Sequence, residues 1–249
     1  MLFFIFFTGS ILGWCLETVF RRFCPENKSR KWINPGFLIG PYLPLYGFGL
    51  CTLFILSEVE KILPLSNPVA AKAAVIILMA VCMTLLELIA GLIFVKGMNV
   101  KLWDYSNKRF NYKGIICLEF SVYWFILAMV YYFFIHPHIL SALKWFSSNL
   151  AFSFVLGTFF GVFIIDLGYS LNIAAKIRKF ANDNNILVRY EELKSNIRKY
   201  ADERKEKYIF MFAFRSKASL HEHLTRYFDI QQAFKKIKDV AQDSKKDNK

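Results

Sequence analysis

Four acidic residues stand inside long apolar stretches of the chain: Glu17, Glu87, Glu119 and Asp166. A charge placed deep in a bilayer costs on the order of 2.5–3.5 kcal/mol on insertion scales, so such acids mark cation or proton sites, or pair with a base. Arg21, Arg22, Lys96 and Lys113 are the bases within reach along the sequence. Pairing with them, or contact with interfacial water, is the structural explanation. A shared recess for a substrate or cation is the functional one. Other chemistry is thin. His136 and His138 are two residues apart and cannot share one helix face. There is no HExxH, no GxSxG and no GxxxxGK[ST] phosphate loop. The five cysteines form no CxxC pair, and four lie in apolar runs, where Cys behaves as a small hydrophobe. No catalytic residue, metal site or cofactor is expected, and the chain is not read as an enzyme.

The elements that must position these acids are membrane helices. Of 249 residues, 55% are hydrophobic, 18% aromatic and 20% charged, and the mean hydropathy is +0.34. Soluble domains usually carry about 25% charged residues, so ordinary soluble and disordered classes fit poorly. The expected fold is an all-α integral membrane protein. Five stretches approach the ~20 apolar residues that a spanning helix needs. They run from Leu2 to Phe20, Leu43 to Leu63, Val69 to Val95, Gly114 to Ile135 and Leu150 to Ala175. Arg21 and Arg22 follow the first stretch and no basic residue precedes it, so it reads as a retained helix and not as a signal peptide.

Basic residues alternate along the connections. Five lie between the first two stretches, two around the next connection, five in the next, one before the last stretch and 19 after it. This positive-inside pattern predicts a multi-pass protein with its N-terminus outside and its C-terminus in the cytoplasm. Trp32, Trp103 and Trp145 fall near the expected interfaces. In this topology all four acids lie towards the inner face, with Glu87 and Glu119 roughly 7–12 Å from the inner helix ends. Glu58 and Glu60 are nearer an outer end.

Two connecting segments stand out. Asn34 to Gly49 reads NPGFLIGPYLPLYGFG. Its prolines and glycines, among them Gly36, Gly40, Pro41, Pro44 and Gly47, oppose a regular helix through its first half. Phe37, Leu38 and Tyr46 keep it apolar. Lipid cannot satisfy free backbone groups, so this predicts an irregular elbow covered by protein or lining a cavity. Its broken backbone could present amides and carbonyls to a ligand. A packing elbow is the equally simple reading. The second inner loop carries Trp103, Asp104, Tyr105 and Ser106, then Asn111 and Gly114. Asp or Ser there can cap the following helix, and the aromatics suit an interface. Gly9/Gly13 and Gly157/Gly161 have the spacing that allows close helix approach.

Gly13-Trp14-x-x-Glu17, the NPGFLIGPYLPLYG block, and WDYS followed by Asn111, Gly114 and Ile116-Cys117-Leu118 resemble the bacterial family of ABC-transporter type IV membrane proteins, the CmpB-like permeases. The resemblance runs from Gly13 to Trp124. It departs at Pro35, where the family pattern has Arg, which removes a cation. It implies a permease-like role, with any ATPase on a separate subunit because this chain has no phosphate loop.

From Lys176 to Lys249 there is neither Gly nor Pro, and the segment carries a net charge of +8. It is expected to form a basic cytoplasmic tail, residues 176–249, behind a transmembrane domain, residues 1–175. Leu193, Ile197 and Tyr200 share one helix face, as do Phe234, Ile237 and Val240 or Ala241. Tyr208 to Phe214 is a short apolar run whose fold is open: helix, strand or surface anchor. No nucleic-acid-binding motif is present, so charge alone does not make this a nucleic-acid protein.

Three functions compete. The first is a membrane subunit of a transporter. Five spans are few for a pore, so it would act as a homodimer in the bilayer. The alternative is a non-transporting scaffold or sensor whose tail recruits a cytoplasmic partner. An intramembrane enzyme is the third and weakest.

Overall fold

The structure is a computed structural model and describes residues 1–24, 27, 30–60, 67–204, 214 and 218–246. It is 76% helical with almost no sheet. Helix α1 spans Leu2–Phe23, α2 Pro44–Val59 and α3 Pro68–Met98. Two-residue strands β1 (Val100–Lys101), β2 (Asn111–Tyr112) and β3 (Ile116–Cys117) follow. Then come α4 (Leu118–Val130), a π-helical turn at Tyr131–Ile135, α5 (His136–Ser148) and α6 (Phe152–Asp183). Strand β4 (Val188–Arg189), α7 (Tyr190–Glu203) and α8 (Leu220–Lys246) complete the chain.

Local sequence explains several boundaries. Pro68 occupies the first turn of α3, where its missing N–H costs nothing, and the Asn67 side chain accepts from Val69 N at 2.9 Å. Asn99 ends α3 in the left-handed conformation (φ 51°). Pro44 likewise starts α2, and Leu43 N donates to Ser10 O at 2.9 Å, tying the elbow to α1.

Among the described residues, four helical stretches are long and apolar enough to cross a membrane: Leu2–Phe23, Pro68–Met98, Leu118–Ser148 and Phe152–Asp183. The expected second span is present as apolar α2, but it has 16 residues. That is about 24 Å of helix against the ~30 Å of a bilayer core. The fourth span runs on beyond Ile135, because α4, the π turn and α5 form one continuous rod that carries His136 and His138 inside it. Helix α6 likewise crosses residue 175 without a break and reaches Asp183.

Packing divides into two cores. In the bundle, Ile5, Leu53, Val75, Met79, Met83, Trp124 and Tyr131 interlock α1 to α4. Beside it α2 lies against α1, and α3 lies between α2 and α4. A second core gathers Val100, Ile177, Ala181, Val188, Leu193, Ile197, Leu224 and Tyr227. The expected face of Leu193, Ile197 and Tyr200 is buried here. The tail seam is thus shared with the end of α6 and with the loop after α3. Strands β1 and β4 pair in parallel, Val100 with Val188, and carry the tail onto that loop. Phe234 is exposed, and side chains from 237 onward lie outside the described residues, as does the run from Tyr208 to Ala213.

Candidate functional site

The C-terminal ends of α1, α3 and α6, the N-terminal ends of α2 and α4, the elbow and the docked tail all meet at one end of the bundle. Three of the four acids are built into this tail-side half by distinct sets of partners.

Glu17 lies one turn before Arg21 on α1. Its Oε1 accepts from Arg21 Nε at 2.9 Å, and its Oε2 accepts from the Tyr46 hydroxyl at 2.9 Å. Tyr46 reaches it because α1 and α2 approach closely at Gly13 and Gly9. A Cβ at Gly13 would overlap the Tyr46 side chain, and one at Gly9 would sit 2.7 Å from the Leu50 Cβ. The expected close approach therefore occurs at Gly9/Gly13. Gly157 and Gly161 instead meet no atom within 4 Å among the described residues.

Glu87 is 3% exposed and lies eleven residues before Met98. That puts it about 16 Å from the end of its helix, deeper than the sequence predicts because α3 runs past Val95. The Tyr105 hydroxyl donates to its Oε1 at 3.0 Å and Trp124 Nε1 donates to its Oε2 at 2.9 Å. No cation comes within ion-pair distance of it among the described residues. Tyr105 gets there because the loop after α3 folds back into the bundle. Trp103 Nε1 donates to Ile115 O at 2.7 Å, and Asn111 Oδ1 accepts from Gly114 N at 3.1 Å. Burial against Glu87 pushes the Tyr105 hydroxyl well above its usual pKa.

Neither Asp104 nor Ser106 caps α4 as expected: its N-cap is Cys117, which makes no side-chain cap bond. Asp104 accepts instead from Lys101 Nζ at 2.7 Å and from Arg189 Nε at 3.0 Å, which pins β1 to β4. Burial opposes this charge, but the Lys101 ammonium and Ser106 outweigh it and hold the Asp104 carboxyl below its usual range. Ser106 also donates to Asp104 through its backbone N–H at 3.0 Å.

Asp166 on α6 clamps the elbow. It accepts from Ile39 N (3.1 Å), Gly40 N (2.7 Å), the Tyr42 hydroxyl (2.6 Å) and the Ser170 hydroxyl (3.0 Å). The elbow is irregular, as predicted, and Gly36 adopts a positive φ of 81° that other residues resist. Its backbone is committed to protein partners. Asn34 Nδ2 donates to Ile39 O at 2.9 Å, while Asn34 Oδ1 accepts from Trp14 Nε1 at 2.7 Å. Lys194 Nζ donates to Asn34 O at 3.1 Å and to Gly36 O at 3.2 Å. Pro41 is exposed, and Gly47 is buried against α1 beside Ser10 and Phe6. Glu119 lies apart: it is exposed in the first turn of α4 and pairs with Lys108 at 3.1 Å.

The tail completes the arrangement. Arg21 bridges Glu17 to Glu191 of α7, with Arg21 Nη1 2.9 Å from Glu191 Oε2, and Lys194 pairs with Glu191 at 3.2 Å. Burial opposes the Glu191 charge, but Arg21 and Lys194 overcome it and hold its carboxyl below the usual range. Burial lowers the Lys194 ammonium despite Glu191. The structure thus brings Glu17 and Glu87 to adjacent rings, with Tyr46 and Trp124 centroids 5.7 Å apart. It gives Asp166 to the elbow and leaves Glu119 at the rim.

Several of these partners escape a sequence reading. Arg21 is signalled by its i+4 spacing from Glu17. Trp124 and Tyr42 carry no local signal, and the i+3 spacing of Glu191 and Lys194 signals that pair but not their partners Arg21, Asn34 and Gly36, which lie more than 30 residues away in the chain.

Among known proteins, no curated protein and no solved structure matches this chain. The profile of one family matches residues 4–171, which takes in α1 to α5 and most of α6, well beyond the motif blocks. With its apolar helices, this makes the chain a multi-pass membrane protein of transporter type. It belongs to the family described as "Putative ABC-transporter type IV".

Proposed function

We propose that the chain is a membrane-embedded permease-like subunit of a transporter, with ATP hydrolysis supplied by a separate subunit. The observation that carries this reading is the pair of carboxylates, Glu17 and Glu87, held in the tail-side half of the bundle. Glu87 is nearly inaccessible and is partnered by neutral donors alone among the described residues. A buried acid with no countercharge inside an apolar helix is the kind of group that marks a cation or proton site. The chain performs no bond-making step in this reading.

The basic tail supports an orientation with the C-terminus in the cytoplasm of a bacterial membrane and the N-terminus outside. An ATPase would then dock on the tail or on the loop at 99–117, which the Arg189–Asp104 pair joins. A homodimer in the bilayer would supply the further helices of a pore.

Affinity purification of intact detergent-solubilised complexes from native membranes tests the reading. A stoichiometric ATPase whose activity depends on Glu87 is the expected result. A lone chain with no ATPase, together with no substrate flux in proteoliposomes, overturns it. The scaffold or sensor alternative is favoured by the exposed charge of α7 and α8. It predicts that deleting residues 176–249 abolishes function while the bundle stays folded.

A further inference from the structure

Between Asp104 and Glu119 the chain holds three bases, Lys108, Arg109 and Lys113, and no acid. Lys108 is neutralised by Glu119 at 3.1 Å. Arg109 and Lys113 are exposed and pair with no acid among the described residues. Two rings stand between these cations: Phe110 is 82% exposed and Tyr112 51%. The run from Arg109 to Lys113 thus reads cation, ring, amide, ring, cation, and every one of its side chains is bare.

The hairpin that presents them is held from within. Asn111 Nδ2 donates to Lys108 O at 2.8 Å, and its Oδ1 accepts from Gly114 N at 3.1 Å. Phe110 and Lys113 adopt positive φ values of 51° and 55°. Bulky side chains rarely occupy that region, and they stay there only where the surroundings impose it.

Its position names the occupant. Strand β3 runs straight into α4, since Leu118 follows Cys117. The ladder pairs Asn111 with Cys117, so Phe110 comes level with Leu118. The Lys108–Glu119 pair fixes the same level, as does the Tyr105 ring stacked on Phe120 at 4.3 Å. Leu118, Val122 and Phe125, at i, i+4 and i+7, form an exposed apolar face on a helical stretch of spanning length. The bare ring therefore stands where a lipid-facing surface begins, with two unpaired cations at the height of the head groups. A soluble acidic partner would match the charge but not this depth.

We propose that the β2–β3 hairpin binds an anionic phospholipid in the leaflet on the tail side of the bundle. Arg109 and Lys113 donate to its phosphate, and Phe110 lies among the first methylenes of its chains. The guanidinium edge suits phosphate oxygens, and an anionic surface attracts juxtamembrane cations within a Debye length. This seat braces the loop that delivers Tyr105 to Glu87, because Lys108 N donates to Tyr105 O at 2.8 Å. It leaves the Asp104–Arg189 side of the loop to a soluble partner, and it does not depend on the transporter reading.

The test uses the full chain in nanodiscs, with trifluoromethyl-phenylalanine in place of Phe110 as a fluorine NMR reporter. The bilayer is phosphatidylcholine with a trace of either phosphatidylglycerol or phosphatidylcholine spin-labelled near the head of one acyl chain. Relaxation of the reporter should be about threefold faster with labelled phosphatidylglycerol, a preference that two partly screened juxtamembrane cations supply. Arg109→Gln combined with Lys113→Gln should equalise the two lipids while the ring still relaxes in both. Arg109→Lys should keep most of the preference. The same reporter at Phe154, bare on α6, should relax equally with either lipid in every variant, which also checks the fold. Inorganic phosphate in place of chloride, at equal ionic strength, should leave the preference intact. Its loss there would identify a free-phosphate site and overturn the lipid assignment. Equal relaxation by both lipids in the parent chain would reduce the hairpin to an interfacial aromatic and overturn the proposal. Stronger relaxation by a water-soluble gadolinium chelate than by either lipid would place Phe110 in water, overturning it in favour of a soluble partner. A preference that survives the double variant would move the lipid to other bases and overturn it too.

Discussion

Glu87 is buried in the bundle with a donor on each oxygen. Tyr105 and Trp124 each present a hydrogen to one carboxylate oxygen. Glu87→Gln keeps the shape but turns one oxygen into an N–H group, which faces a donor. That leaves a buried polar group unpaired, at a cost of about 1–3 kcal/mol. A lowered Tm in detergent is expected, with Glu119→Gln unchanged because Glu119 is exposed. Lys194 is the corresponding residue of the tail. Lys194→Met removes the donor from the Asn34 and Gly36 carbonyls and from Glu191. Hydrogen exchange across α7 should then rise roughly tenfold or more, the equivalent of about 1.4 kcal/mol or above.

At the scale of elements, the glycines of α1 and α6 have opposite meanings despite identical spacing. Gly13→Ala inserts a methyl group where Tyr46 already lies. It should push α2 from α1, weaken the Tyr46–Glu17 bond and lower stability by about 1–3 kcal/mol, as overpacking does. Gly157→Ala meets open space, so it should leave Tm unchanged or raise it by the helix-propensity gain of up to about 1 kcal/mol. Thermal unfolding of the two variants side by side checks the contrast. The docking of α7 should also depend on pH. Glu191 is held below its usual pKa in the folded chain, so its contribution is complete above about pH 4.3 and is lost as pH falls through the lowered value. Lys194 is lowered too, so the unfolded state binds more protons between its folded and unfolded values, and stability rises with pH there. Exchange protection in α7 measured from pH 3 to pH 7 should collapse only at the acid end.

For the molecule as a whole, the tail and the bundle form a connected structure. Arg21 to Glu191, Asp104 to Arg189 and Lys31 to Asp202 (2.9 Å) tie the two together. A partner gripping α7 would therefore pull on Glu17 through Arg21 and on Glu87 through the 99–117 loop, coupling the tail to both acids.

Much of this was legible in the chain itself. Apolar length and composition determine that helices of spanning size form, because lipid admits few alternatives for the backbone. The Pro and Gly content of residues 34–49 determines an irregular elbow, and breaker-free polarity determines a helical tail. Local spacing also reveals the Glu17–Arg21 pair. What each acid does was decided only by the tertiary structure. Glu119 and Glu87 both stand in apolar surroundings in sequence, yet one faces Lys108 at the rim and the other lies beneath Tyr105 and Trp124. Asp166 meets an elbow about 125 residues away, and Gly13 meets Tyr46 where Gly157 meets nothing. Periodicity fixes the face of a helix a residue occupies, but the neighbour on that face is chosen by how helices pack, and that choice is long-range.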